Sequence, residues 1–167
     1  MIAGIDPDTK QIVVAMWGQH PPQLVGTPAT DNYKFLRAVA TERVAENRFR
    51  PLITMFRSLV LQMLGTSWCY IERPPMGVNP RATIDQSMVV GAIACILHER
   101  GIPYSLVDPN TWKKGLIGRG NADKPLIKEW AIANLDLPDN LRQDDYDAAC
   151  IQRWGELSSR HGAPLVS

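Results

Sequence analysis

The sequence predicts a mixed α/β domain, and three features carry that prediction. Two short apolar runs at the start, "MIAGID" and "QIVVAMWG", are separated by a turn-forming stretch from Pro7 to Lys10. Beyond residue 50, segments with helical apolar spacing alternate with short β-rich runs. At 167 residues with 45% hydrophobic content, the chain fits one domain able to bury a core without staples. Strands followed by alternating helices and strands describe mixed α/β architecture. Residues 1–158 form the expected domain and 159–167 a loose tail.

The elements follow in order. The two opening runs are strands, and a third is expected within 33–40. In "RPLITMFRSLVLQML", apolar residues at 52, 53, 56, 59, 60, 63 and 64 have helical spacing, with Pro51 in or just before the first turn. "WCYIER" is a strand. "PRATIDQSMVVGAIACILHERG" is a helix closed by Gly101, and "PYSLVD" is the next strand. "GLIGRG" reads as a flexible glycine-rich loop; it lacks the spacing of a nucleotide-binding loop. Trp112, just before it, reads as a core or loop anchor, with base stacking as the alternative. "NADKPLIKEWAIANL" is a helix with Asn121 or Asp123 as N-cap and Pro125 in its first turn. A last helix is expected from near Gln143 to about Ser158.

Composition narrows the function classes. Three scattered cysteines, Cys69, Cys95 and Cys150, read as reduced thiols of a cytoplasmic protein. Three histidines without ligand spacing argue against zinc. No signal peptide is expected, and the longest apolar run, Met88 to Leu97, is too short to span a bilayer. Net charge is only +1, but it is unevenly spread. Basic residues crowd 34–57 and 113–128, and acids crowd 136–147. A basic surface beside an acidic cluster suits a polyanion.

The acids raise the sharpest question. In "QDDYDAACIQRWG", three aspartates stand in four positions directly before an apolar run. Asp144 and Asp147 are three apart at a helix start, about 60° from each other around the axis, so they share a face. Asp145 and Asp147 are about 200° apart, so Asp145 points elsewhere. Asp6 closes the first strand and Glu72 lies late in a central one, at strand ends where α/β folds gather their sites. Taken singly, a turn, an ion pair or the helix dipole accounts for each acid. Together, four converging carboxylates repel one another unless cations lie between them. Hard oxygen ligands point to Mg2+ or Mn2+, and two ions about 4 Å apart can activate water against a phosphodiester.

These residues resemble a known family. Asp6 in "GIDP", Glu72 in "YIERP", and Asp144 with Asp147 in "DDYDAACIQ" resemble the four acids of the RuvC-like Holliday junction resolvases, on the RNase H-like fold. "IERPPMGVNPRATIDQSMVVGAIACILHERGIP" resembles the family's strand, loop and long helix, and "WKKGLIGRGNADK" its basic segment. The resemblance covers roughly residues 2–155. It implies a five-stranded mixed sheet, three early strands antiparallel, with helices on both faces. It implies a metal-dependent crossover junction endodeoxyribonuclease that binds four-way DNA junctions and makes paired nicks. Asp6, Glu72, Asp144 and Asp147 would hold two magnesium or manganese ions. Lys124 would act near the scissile phosphate and Lys113 on a duplex arm, with Lys114, Arg119 and Arg73 as further DNA contacts. The near-unbroken apolar helix of 86–100 would form a homodimer through Met88, Val89, Ile93 and Ile96.

The sequence departs from the family where bacterial members often carry a stacking phenylalanine after the strand glutamate; here Pro75 stands. The stretch Thr27 to Arg50 also fits poorly, as would suit a bacteriophage member acting in its host's cytoplasm. The rivals are a same-fold nuclease for flaps, forks or RNA·DNA hybrids, an actin-like ATP-binding protein, and a non-catalytic junction-binding module. The chain lacks the second lobe and phosphate-loop glycines of the ATP-binding class, so no nucleotide cofactor is expected.

Overall fold

The computed structural model describes residues 1–17, 33–40, 45–74 and 79–160. Pro75, much of the poorly fitting stretch 27–50, and residues 161–167 of the expected tail lie outside the described residues. The strands are β1 (Ile2–Pro7), β2 (Gln11–Trp17), β3 (Tyr33–Val39), β4 (Trp68–Glu72) and β5 (Tyr104–Val107). The helices are α1 (Ala45–Leu59), α2 (Pro80–Glu99), α3 (Pro109–Ile117), α4 (Lys124–Leu135) and α5 (Gln143–Arg160). The sheet order is β3-β2-β1-β4-β5. β1, β2 and β3 pair antiparallel, and β1–β4 and β4–β5 pair parallel. This is the expected mixed α/β sheet, consistent with RNase H-like architecture.

β1 lies at the centre and is closed in on both faces, which is why "IAGID" shows no polar alternation before its last residue. One face packs Ile5, Ile12, Val14 and Ile71 against Phe56 of α1 and Ile93 of α2. The other packs Val13, Tyr70 and Val107 against Trp112, Ile127 and Ile151 of the last three helices. Helices therefore cover both faces. None is long and apolar enough to cross a membrane among the described residues.

Three local expectations are corrected. The helix around Pro51 begins at Ala45, so Pro51 lies inside it and withholds one backbone hydrogen bond. That helix ends at Leu59 and tightens into a 3-10 turn, Val60–Met63, whose i and i+3 residues are both buried. The segment read as leading into a flexible loop is α3. Its start is built by the Asp108 side chain accepting from Asn110 N at 2.8 Å, with Pro109 at its first position. Gly118 ends it in the left-handed region (φ 82°). The signal was present as "DPN…G", an N-cap, a first-turn proline and a terminating glycine at helix length.

Asp123 is the N-cap of α4, accepting from Leu126 N at 3.1 Å, which places Lys124 at the helix's first position. α2 carries the residues expected at a dimer interface. Val89, Ile93 and Ile96 are buried in the chain's own core, because α2 lies across the sheet through that face. Met88 alone of the four is exposed, and Ile84, one turn earlier, is exposed with it.

Candidate metal centre

α5 lies across β1 at backbone contact. A Cβ on Gly4 would come within 2.3 Å of both Ala148 O and Gln152 N. At the neighbouring strand, a Cβ on Gly155 would meet the Tyr70 ring at 2.1 Å. Two glycines, one on each partner, thus let the helix settle onto the sheet. The consequence is functional: the first turn of α5 comes down beside the end of β1.

There, Asp6, Asp144 and Asp147 each offer a carboxylate oxygen, all within 4.8 Å of one another. Glu72, at the end of the adjacent strand, is not in that tight group, but its charge is the strongest of those acting on Asp6. The four acids predicted from the sequence are therefore neighbours, three of them in closest approach. Burial, then the charges of Glu72, Asp147, Asp144 and Asp8, push the Asp6 carboxyl well above the ordinary range. Burial pushes Glu72 up to about 7, against the pull of a Trp112 hydrogen bond. Burial likewise raises Asp147 to about 6, opposed by a Gln143 hydrogen bond and by Lys113 and Lys124.

Neutral donors hold three of these acids. Trp112 Nε1 donates to Glu72 Oε2 at 2.6 Å, and Gln143 Nε2 donates to Asp147 Oδ1 at 3.0 Å. Gln11 Nε2 donates to Asp144 Oδ2, and Gln11 Oε1 accepts from Arg37 at 2.8 Å. Asp145 stands apart, as the helix geometry predicted. It is buried, ion-paired to Arg37, and accepts from Arg142 N at 3.1 Å at the helix start. Arg37 therefore steadies two adjacent aspartates in different ways, one directly and one through Gln11. None of these supporting residues was read as functional from sequence. Gln143 lies one helical turn before Asp147, but Gln11, Arg37 and Trp112 come from elements far apart in the chain, and nothing local marks those three.

The donor set fits a hard divalent cation. It is all carboxylate oxygen, crowded, and supported by N–H donors that leave other oxygens for metal. Neutralisation by protons is the alternative, and burial with mutual repulsion pushes these carboxyls in that direction.

Lys113, expected on a duplex arm, lies on α3, and its charge acts on both Glu72 and Asp147. Lys124 acts on Asp147 as well. Two helices thus bring positive charge to bear on the carboxylates. Lys114, Arg119 and Arg73 are exposed nearby in sequence.

The sheet order, the helices on both faces and an acidic centre at the β1–α5 contact define an RNase H-like protein with a candidate divalent-metal site. The sequence profile of the family Crossover junction endodeoxyribonuclease RuvC matches residues 2–152. The chain belongs to the RuvC family. Curated relatives include Crossover junction endodeoxyribonuclease RuvC of Chlamydia trachomatis, 27% identical over 89% of this chain and 85% of that protein. That of Chlamydia caviae is 28% identical over 89% and 86%. Among solved structures, Thermus thermophilus RuvC in complex with Holliday junction substrate superposes with a TM-score of 0.74 at 17% identity, over 97% of this chain and 96% of that one. The yeast mitochondrial Holliday junction resolvase Ydc2 gives 0.53 at 15% identity, over 97% and 82%.

Proposed function

We propose that the protein is a divalent-metal-dependent endonuclease that resolves four-way DNA junctions by paired symmetric nicks. The observation that carries this reading is the approach of Asp6, Asp144 and Asp147 to within 4.8 Å, in a member of this family. Asp6, Glu72, Asp144 and Asp147 would hold two Mg2+ or Mn2+ ions. Such ions supply water activation and charge stabilisation for phosphodiester hydrolysis.

The chain's own groups do the rest. Lys113 and Lys124 stand beside the acids and offset the negative charge of an incoming phosphate. Lys124 opens α4, whose first-turn amides also favour an anion. Lys114, Arg119 and Arg73, all exposed, would contact the duplex arms. A relative solved with a Holliday junction substrate supports the choice of a four-way junction. Paired nicks call for two sites related by a two-fold axis, and hence a homodimer.

The test is a synthetic four-way junction incubated with protein and Mg2+. Symmetric nicks across the branch point are expected, and Asp147→Asn should lower the rate at least about 10²-fold while junction binding persists. Faster cutting of flaps, forks or RNA·DNA hybrids than of the junction would overturn the assignment.

A further inference from the structure

Trp112 is completely buried, and a buried indole needs a partner for its N–H. That partner is a site carboxylate: Nε1 donates to Glu72 Oε2 at 2.6 Å, the short end for a charge-assisted bond. The face of the same ring carries Lys113, whose Nζ lies 5.5 Å from the centroid. One side chain thus grips an acid by its edge and a cation by its face. The ring itself is fixed, because α3 is pressed against α5. A Cβ on Gly115 would come within 2.7 Å of the Trp154 indole.

We propose that Trp112 is a positioning residue that sets the Glu72 carboxylate for metal and the Lys113 ammonium for phosphate. The proposal rests on the metal-dependent nuclease reading. Glu72 has three rotatable bonds and would otherwise lose rotamer freedom when it binds an ion. A donor that holds it beforehand removes that loss, as outer-shell partners of metal ligands do. Holding Lys113 over the same ring keeps the cation at a constant offset from the acid, so the two serve one phosphate together.

The decisive variant is Trp112→Phe, which keeps a ring face for Lys113 and loses the N–H. Mn2+ binding to the protein without DNA, followed by titration calorimetry, should weaken about tenfold in a variant that circular dichroism shows to be folded. Trp112→Leu removes the face as well. Lys113→Ala should then slow single-turnover cleavage less in the Leu background than in the Phe background. A second measurement needs no variant of Trp112 to fold: the indole N–H resonance of the unmodified, 15N-labelled protein should shift as Mg2+ is titrated, because its acceptor is the Glu72 carboxylate. Unchanged Mn2+ affinity in a folded Phe variant, or an indole signal indifferent to Mg2+, overturns the proposal. Failure of the unmodified protein to bind Mn2+ overturns both this and the nuclease reading. Metal binding without junction cleavage overturns the nuclease reading alone.

Discussion

Lys113 and Lys124 both act on Asp147, though they come from different helices. The sequence reading separated them, with Lys124 at the reacting centre and Lys113 on a duplex arm. In the structure the charge of Lys113 also acts on Glu72. A lysine beside developing charge contributes to the rate, whereas one on a distant phosphate contributes to affinity and to the salt slope. Lys113→Ala and Lys124→Ala should therefore both lower the single-turnover rate with binding little changed. Lys114→Ala, at an exposed position, should instead weaken junction binding and reduce the salt slope by about one. Salt-dependent binding and single-turnover cleavage measured on all three variants check this.

The acids themselves give a pH signature. Glu72 rises to about 7 and Asp147 to about 6 in the metal-free fold, both above their unfolded values. The unfolded chain then releases those protons more readily, so the stability they contribute is present below about pH 4 and is lost as pH rises through 6 to 7. Calorimetry in EDTA should show the melting temperature falling from pH 5 to 8, and Mg2+ should remove most of that fall. A rise over that window in EDTA would mean the acids are not crowded as described.

At the scale of elements, the site depends on how closely α5 approaches β1. Gly4 faces backbone atoms of Ala148 and Gln152, which cannot turn aside as a side chain could. Gly4→Ala should force the helix outward, costing about 1–3 kcal/mol as overpacking. It should also weaken Mn2+ binding, because Asp6 rides on the strand while Asp144 and Asp147 ride on the helix. Chemical denaturation and calorimetric metal titration check the two effects. If metal affinity is unchanged while stability falls, the helix is not what sets the ligand spacing. α3 is the other element that matters here, since it delivers both Trp112 and Lys113.

For the whole molecule, the question is what covers the outer side of α2. Ile84 is 60% exposed and Met88 53%, while Gly91 and Cys95 continue their line along the helix. An apolar line broken by a small residue is suited to close approach by a second helix. The residues expected from the sequence, Ile93 and Ile96, face the chain's own core. A charge placed there would be buried without a partner and should unfold the protein. Met88→Glu should instead give a folded monomer that binds a junction but makes no paired nicks. Light scattering with circular dichroism distinguishes the two outcomes. A stable monomer of the unmodified protein at micromolar concentration would count against the dimer.

The sequence by itself determined the strand order, four of the five helices and the α/β class, and it marked Asp6, Glu72, Asp144 and Asp147 as candidates. Strand ends and helix periodicity are local properties, and Asp6, Glu72, Asp144 and Asp147 each sit where such a property ends or begins. It also separated Asp145 from Asp147, since 100° per residue decides which side chains share a helix face. α3 was legible in its capping residues but was obscured by the glycines on its far side. Tertiary structure alone decided the rest. Which side of an apolar helix is core depends on what packs there, so periodicity could not tell Met88 from Ile93. Gln11 and Trp112 support site acids across 133 and 40 positions of sequence, and Arg37 pairs with Asp145 across 108. Hydrogen bonds of that span exist only once the chain has folded, because nothing in the local sequence brings their partners together.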